Sequence, residues 1–240
     1  MVLQSVIRAI YPPQCLSCEE QTAEELGLCP ACWRETAFIR GLACGSCGQP
    51  LMGESDGTVL QCDDCLTIAR PWARGVAALR YEGVGRKLVL GLKHADRTDL
   101  APALGLWLAR AADAALSPDT VIVPVPLHWR RLLKRRYNQS ALLAHAMGRQ
   151  TGLTVVPDAL IRRKATPPLE GRSRTARFET LQDAIAPHPK RGKAMQGKPV
   201  LLVDDVMTSG ATFAAATEAC LAAGALSVCV AALARVGKDT

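Results

Sequence analysis

Apolar residues are grouped along the chain into short runs and helical stripes. Gly75 to Tyr81 (GVAALRY) is brief and apolar and predicts a strand. Val84 to His94 carries apolar residues three and four apart, with Arg86 and Lys87 on the other face, and predicts a helix. Asp99 stands where an N-cap would open the next helix, Leu100 to Leu116, whose core stripe is Leu104, Trp107, Leu108 and Ala111. Val121 to Pro126 reads as a buried strand closed by proline, Asn138 to Gln150 as a helix ended by Gly152, and Leu153 to Val156 as a weak strand. Within that helix, His145 is read as a core histidine among Leu and Met. Val200 to Val203 is too short for a helix and rich enough in β-branched residues for a buried strand, and Ser227 to Ala234 is apolar throughout. Between them Phe213 to Ala223 has helical spacing, and Cys220 and Cys229 are read as small core residues.

The first third lacks this rhythm and is punctuated by cysteine. Four C-x-x-C pairs occur: Cys15/Cys18, Cys29/Cys32, Cys44/Cys47 and Cys62/Cys65. A two-residue gap lets both sulfurs of a turn reach one ion about 2.3 Å away, and two such knuckles close a tetrahedral shell. Four knuckles therefore predict two structural zinc sites, with no open position for catalysis. Pairing first with second and third with fourth closes the shorter loops and is preferred over an interleaved arrangement. The region has too few apolar residues to fold alone, so metal binding should stabilise it. The composition changes near Arg74, giving an N-terminal helix and double zinc ribbon over residues 1–70 and a metal-free domain over 71–240.

Charge and the remaining composition alter the picture little. Hydrophobic residues make up 49% of the 240, enough for a sizeable core. No apolar run reaches the roughly 18 residues that span a bilayer, which excludes helical membrane insertion as an expectation. Val2, Leu3, Val6, Ile7 and Ile10 have helical spacing, but the run is too short for a signal peptide and lacks a small-residue cleavage site. It is read as a docking helix of a cytoplasmic protein. The formal charge is +7, but eight thiolates and two Zn²⁺ would remove four of those charges, so local clusters matter more than the total.

The chemistry concentrates in Val200 to Phe213, VLLVDDVMTSGATF. A strand ends on Asp204 and Asp205, and the small, hydroxylated turn Met207, Thr208, Ser209, Gly210, Ala211 and Thr212 runs directly into a helix. Small residues let backbone N–H groups converge, and a helix N-terminus is partially positive, so this turn suits a phosphate. Carboxylates beside a phosphate cradle suit a sugar phosphate, accepting hydrogen bonds from ribose hydroxyls and helping to position a hydrated Mg²⁺. A Walker B reading fails for want of a G-x-x-x-x-G-K-[ST] partner, and Gly83 to Gly85 lacks the third glycine of a dinucleotide fingerprint. Leu127 to Tyr137 (LHWRRLLKRRY) follows a strand's carboxyl end and makes Arg130 and Arg131 candidate pyrophosphate contacts. Arg162 to Lys198 shows little periodicity and is rich in Arg, Lys, Pro and Gly. It is read as a mobile basic lid, with Arg162, Arg163, Lys164, Arg172, Arg174 and Arg177 as anion contacts.

The run DDVMTSGAT resembles the phosphoribosyl pyrophosphate (PRPP) motif of type I phosphoribosyltransferases. With the cysteine knuckles, VPVPLHWRRLLKRRYNQSALLA and RRKATPPLEGRSRTARFETLQDAI, the order of blocks resembles the ComF family of competence-associated phosphoribosyltransferase-like proteins along essentially the whole chain. Departures occur at Arg136, where that family's pattern has glycine, at Tyr137 for phenylalanine, at Leu169 for glutamine and at Thr180 to Ile185. The resemblance implies an α/β protein of type I phosphoribosyltransferase fold, a mostly parallel sheet flanked by helices, with a small N-terminal zinc-ribbon module. It also implies PRPP or a related ribose phosphate with Mg²⁺ as ligand, natural transformation and incoming single-stranded DNA as setting, and competence helicase or processing proteins as partners. Asp204 and Asp205 would hold the ribose, the 207–212 turn its phosphate, and Arg130, Arg131 and Arg177 the leaving pyrophosphate. Three readings stay open: a pentosyl transferase of unknown acceptor, a silent single-stranded-DNA-binding module, and a PRPP sensor without turnover. Thr208 stands where purine-activating relatives carry an acid, and threonine is no general base at neutral pH.

Overall fold

A computed structural model describes residues 12–54, 57–165, 174–181 and 183–237, with the side chains of Arg174, Thr175 and Arg177 left aside. The predicted N-terminal helix, Arg172 and Leu169 lie outside the described residues. Among the described residues two short helices come first, α1 (Pro30–Glu35) and α2 (Asp63–Thr67), each starting at a cysteine knuckle. The rest alternates: β1 (Arg74–Arg80), α3 (Gly83–His94), α4 (Ala101–Ala112), β2 (Val121–Pro124), α5 (Trp129–Arg135), α6 (Gln139–Thr151) and β3 (Thr154–Val155). It continues with β4 (Leu160–Arg162), α7 (Arg174–Leu181), β5 (Ile185–Pro187), β6 (Pro199–Met207), α8 (Ala211–Ala222) and β7 (Ser227–Arg235).

Five strands form one sheet in the order β1-β7-β6-β2-β3, and every pairing in it is parallel. Parallel strands need helical crossovers, and these cover both faces. Side chains alternate accordingly. Leu201, Val203, Ala231 and Leu233 point to the layer holding Leu88 and Leu92 of α3, Leu104 and Leu108 of α4, and Leu143 and Met147 of α6. Val200, Leu202, Val230 and Ala232 point to the opposite layer with Phe213 and Ala216 of α8. The architecture is the expected one, a mostly parallel sheet flanked by helices with N-terminal cysteine clusters.

The cysteine region packs along edge strand β1 and so covers an edge that would otherwise present unpaired amides. Ile39 N–H donates to the Ala78 carbonyl, Arg80 N–H to Ala37, and Gly75 N–H to Gly45. At Gly75 the two backbones come so close that a Cβ would collide with the Ser46 carbonyl. Cys15, Cys29 and Cys32 join one core layer, whereas Cys44, Cys47 and Cys65 join the other.

Four local expectations are corrected. Asp99 does not cap the fourth helix: it lies in a 3₁₀ turn, Thr98–Leu100, and binds Arg97 through two oxygens at 2.8–3.1 Å. The helix from Ala101 is α-helical only to Ala112, and a 3₁₀ turn, Asp113–Ala115, carries the chain on to Leu116. His145 is exposed, because the buried positions Leu143, Ala144 and Met147 define a face that leaves residue 145 on the far side. The stretch after Arg162 is not an irregular lid throughout, since β4 and β5 form an antiparallel pair and Phe178 and Leu181 of α7 pack against Ala211 and Ala215 of α8.

Candidate functional site

The cysteines form the two sequential tetrads, Cys15/Cys18/Cys29/Cys32 and Cys44/Cys47/Cys62/Cys65, each with its sulfurs within 4.8 Å of one another. A tetrahedron with Zn–S near 2.3 Å spaces its sulfurs about 3.8 Å apart, and Cys18–Cys29 and Cys47–Cys62 are each separated by 3.6 Å. The donors are soft and complete at four, so both tetrads fit a closed zinc site. Ionisation fits too: a hydrogen bond from Cys47 lowers Cys44 to about 4, while the same bond and burial push Cys47 far up. Crowded sulfurs that cannot all ionise together are what a dication relieves.

The second feature is a cleft of about 430 Å³ at the carboxyl ends of the strands. Strand β6 does not stop before its acids, as expected from the sequence. It continues through them to Met207 because β7 pairs alongside, Asp204 opposite Ala232. Asp204 Oδ1 accepts from Ser140 Oγ at 2.7 Å and from Asp205 N–H at 2.9 Å. Ser140 is held there by Asn138, which accepts from Ser140 N–H at 3.0 Å and donates to the Val125 carbonyl at 3.0 Å. Asp205 is buried and pairs with Lys93 Nζ at 3.2 Å, from the last turn of α3.

Around this acidic floor the cleft is lined by Lys93, Arg131, Arg135, Arg162, Thr208 and Thr212. Burial, reinforced by the neighbouring Asp205 charge and opposed by the Ser140 hydrogen bond, pushes Asp204 up to about 7. Burial, with Arg135 beside it, lowers Arg131, and burial with Arg131 beside it lowers Arg162, which Asp204 partly counters. Acids and cations are thus each crowded with their own kind. A ligand with hydroxyls or a cation for the floor and negative charge for the rim would relieve both.

The turn after β6 contributes mostly backbone. Met207 is buried in the core, Thr208 is exposed, Ser209 is half-buried, Ala211 packs against α7, and Thr212 reaches the cleft. Gly210 has φ +83°, a left-handed geometry that a β-carbon disfavours. It serves as N-cap of α8 and offers no side-chain acceptor. The Ala211 N–H donates to Ser209 Oγ at a long 3.4 Å, and the rest of the first turn is left for solvent or an anion.

The predicted cations separate. Arg131 lines the cleft. Arg130, one position earlier and so about 100° around the helix, is exposed and stacks over Trp129 at 5.3 Å. Arg177 belongs to α7, but its side chain is outside the described residues.

Residues 6–66 match the Double zinc ribbon domain. The DNA utilization protein YhgH of Escherichia coli (strain K12) is 33% identical over 215 residues, covering 87% of this chain and 90% of that protein. The chain belongs to the ComF-like family. YhgH of Salmonella typhimurium is 32% identical over 231 residues, 93% of this chain and 97% of that protein. Competence protein F of Haemophilus influenzae is 29% identical over 192 residues, 78% and 80% of the two chains. Among solved structures, the glutamine PRPP amidotransferase from B. subtilis complexed with ADP and GMP matches with TM-score 0.39 and 21% identity. That match covers 59% of this chain and 30% of the amidotransferase's length. TT1426 from Thermus thermophilus matches with TM-score 0.35 and 17% identity, covering 58% of this chain and 85% of its own.

For this ComF-like chain, sequence reasoning missed Lys93 and Ser140 as parts of the cleft. Lys93 looked like the polar flank of a helix, and Ser140 like an ordinary first-turn residue. The signal available for Ser140 was its place two residues after a cap, Asn138, that follows the basic segment closely. The departure at Arg136 also gains a physical meaning, since Arg136 is the C-cap of α5 with φ +66°, where glycine is the unstrained choice.

Proposed function

We propose that this ComF-like protein binds PRPP, or a closely related ribose phosphate, with Mg²⁺ in the Asp204/Asp205 cleft and acts in DNA utilisation or competence in the cytoplasm. One observation carries the reading: two neighbouring carboxylates share a cleft with an uncapped helix N-terminus on one side and Arg131 and Arg162 on the other. Asp204 and Asp205 would take the ribose hydroxyls and orient a hydrated Mg²⁺. Backbone amides and hydroxyls from Met207 to Thr212 would hold the 5'-phosphate. Arg131, with Arg177 from α7 as a further candidate, would hold the pyrophosphate, while Arg130 faces away from it. The metal, when bound, neutralises leaving-group charge. The chain's own residues fix the sugar between floor and loop, which favours pentosyl transfer by positioning and electrostatics. In this reading the ribbon module covers residues 1–70 and the ligand-binding domain residues 71–240.

Isothermal calorimetry with PRPP and Mg²⁺ tests the reading. Heat is expected with the wild type and its loss with Asp205→Ala; equal titrations for both would remove the proposal. Pyrophosphate release, assayed against nucleobases, nucleotides and single-stranded DNA, separates a transferase from a sensor. Thr208 provides no base, so the acceptor on this account is either already nucleophilic or activated by another residue.

A second reading, single-stranded-DNA binding, is favoured by α5. Trp129 is 58% exposed beneath Arg130, next to exposed Leu132, Leu133 and Lys134. An aromatic face among cations suits base stacking. Tyr137 does not extend this strip, because it is half-buried and its hydroxyl donates to the Leu92 carbonyl at 2.9 Å. Affinity that falls steeply with salt and drops in Trp129→Ala would support this role, and a flat salt response would remove it. A competence helicase or DNA-processing proteins are the partners this setting implies.

A further inference from the structure

The second cysteine tetrad and the 207–212 turn are far apart in the chain but are joined in space by two arginines. Arg70 Nη1 donates to the Ser209 carbonyl at 2.7 Å, across 139 residues of sequence, while its Nε lies 3.4 Å from Cys65 Sγ. Its guanidinium stacks over Trp72 at 5.5 Å. Trp72 in turn donates to the Ser46 carbonyl inside the tetrad at 2.6 Å and packs edge-on against Phe213 of α8. Arg235, 5% exposed, donates through Nη1 to the Met207 carbonyl at 3.1 Å and the Thr208 carbonyl at 2.8 Å. Its Nη2 lies 3.9 Å from Cys47 Sγ.

Three consecutive carbonyls of the turn, Met207, Thr208 and Ser209, are therefore held by two arginines that also reach the second tetrad, the Met207 carbonyl accepting the Val236 N–H as well. In a trans peptide the carbonyl and the next N–H point in opposite directions. Holding those carbonyls turns the amides of Thr208, Ser209 and Gly210 away from the ribbon as a set, the arrangement an anion-binding turn requires.

The charges point the same way. Among the described residues, the hydrogen bonds of Arg70 and Arg235 go to carbonyls and sulfurs, and neither side chain makes a carboxylate ion pair. A buried guanidinium without a counter-charge is unfavourable. Four thiolates around one Zn²⁺ carry a net charge of about minus two, which supplies it. Among the described residues, the sulfur hydrogen bonds of the first tetrad are by contrast local to its own ribbon: Cys29 Sγ meets Cys18 Sγ and the Cys32 N–H.

We propose that Arg70 and Arg235 are positioning residues that couple metal loading of the Cys44/Cys47/Cys62/Cys65 tetrad to the conformation of the 207–212 turn. The second ribbon is then part of the ligand site, whereas the first serves the fold. The ligand half of this proposal rests on the phosphate reading above; the mechanical half does not. Coupling is reciprocal, so a phosphate ligand should slow metal loss from the second tetrad and leave the first unaffected.

Hydrogen–deuterium exchange on the full zinc-loaded chain under graded chelation tests it, with cysteine alkylation reporting which tetrad has opened. Opening of Cys44 and Cys47 is expected to speed amide exchange from Thr208 to Phe213 roughly tenfold or more, while β2 and α6 keep their protection. Zinc-loaded Arg70→Gln should show the same local loosening, and Arg70→Lys, which retains charge without the fork, an intermediate one. Unchanged turn exchange after the second tetrad opens would overturn the coupling, as would exchange that rises uniformly across the sheet. The chelation arm uses the wild type, so the test holds even where a variant folds poorly. In a separate arm, PRPP with Mg²⁺ should retard alkylation of Cys44 and Cys47 but not of Cys15 and Cys18; equal protection of both pairs counts against the coupling. Should PRPP fail to bind the wild type at all, the phosphate reading fails, and the exchange arm alone decides the coupling.

Discussion

Replacing Asp204 by Asn isolates what the cleft stores. Asp204 accepts two hydrogen bonds on one oxygen, from Ser140 and from the Asp205 amide, and an Asn carbonyl can accept both. What disappears is a charge that burial and Asp205 oppose, raising its pKa from 3.8 to about 7. At 1.36 kcal/mol per pKa unit this displacement has an upper bound of about 4 kcal/mol. The cleft opens to solvent and Lys93 lies nearby, which reduces the expected effect to ~1–2 kcal/mol. The sign follows from the direction of the shift. A carboxyl raised in the folded state favours folding while protonated, and that contribution is lost as pH rises from near 4 through about 7. In metal-loaded protein without Mg²⁺ or PRPP, Asp204→Asn should therefore differ less from the wild type near pH 5 than at higher pH. Near pH 8 it should melt higher, by about 3–6 °C for a chain of this size. The variant should also lose PRPP binding. Thermal melts across that pH range decide the matter: a variant less stable than wild type at pH 8, or a difference that does not change with pH, would refute the reasoning.

Three further outcomes follow. Arg136→Gly should stabilise the protein by about 0.5–1 kcal/mol in chemical denaturation, because the residue sits at φ +66° at the end of α5; no gain would mean that the Arg136 side chain makes a compensating contact. Gly75→Ala should cost about 1–3 kcal/mol and loosen the second ribbon from β1, since a Cβ there meets the Ser46 carbonyl; an unperturbed melting curve would contradict the close approach. Elemental analysis should find two zinc ions per chain, and Cys18→Ser and Cys62→Ser should each remove one, by the sequential grouping of the tetrads; loss of both ions in either variant would argue against independent sites.

The parts of this protein that were legible in the sequence are those written in local pattern. The tetrads follow from C-x-x-C spacing and loop length, and β1, β2, β6 and β7 from short apolar runs with β-branched residues. The parts that were not legible depend on neighbours remote in sequence. Asp204 and Asp205 disfavour strand on propensity, yet β7 supplies a ladder that carries β6 through them. Lys93, Ser140 and Arg162 reach the cleft from α3, α6 and β4, and only the tertiary arrangement, with β4 in a separate two-stranded sheet, brings those elements together. Arg130 and Arg131 look alike in sequence, but successive residues of a helix cannot share one face, so of these two Arg131 lines the cleft, along with Arg135 one turn further on. His145 was misplaced because its nearest neighbours in sequence are apolar, while its own azimuth on α6 faces solvent. The hairpin of β4 and β5 joins residues on either side of α7 and leaves no short-range trace.

The chain's central feature is an acidic floor, a cationic rim and an amide-bearing turn meeting at one end of a parallel sheet, with the zinc ribbons packed along its edge. The most direct test is a crystal structure determined with PRPP and Mg²⁺. The account predicts the 5'-phosphate on the amides between Thr208 and Thr212 and the ribose hydroxyls against Asp204 and Asp205. Density for the ligand elsewhere on the protein, or an empty cleft at saturating ligand, would contradict it.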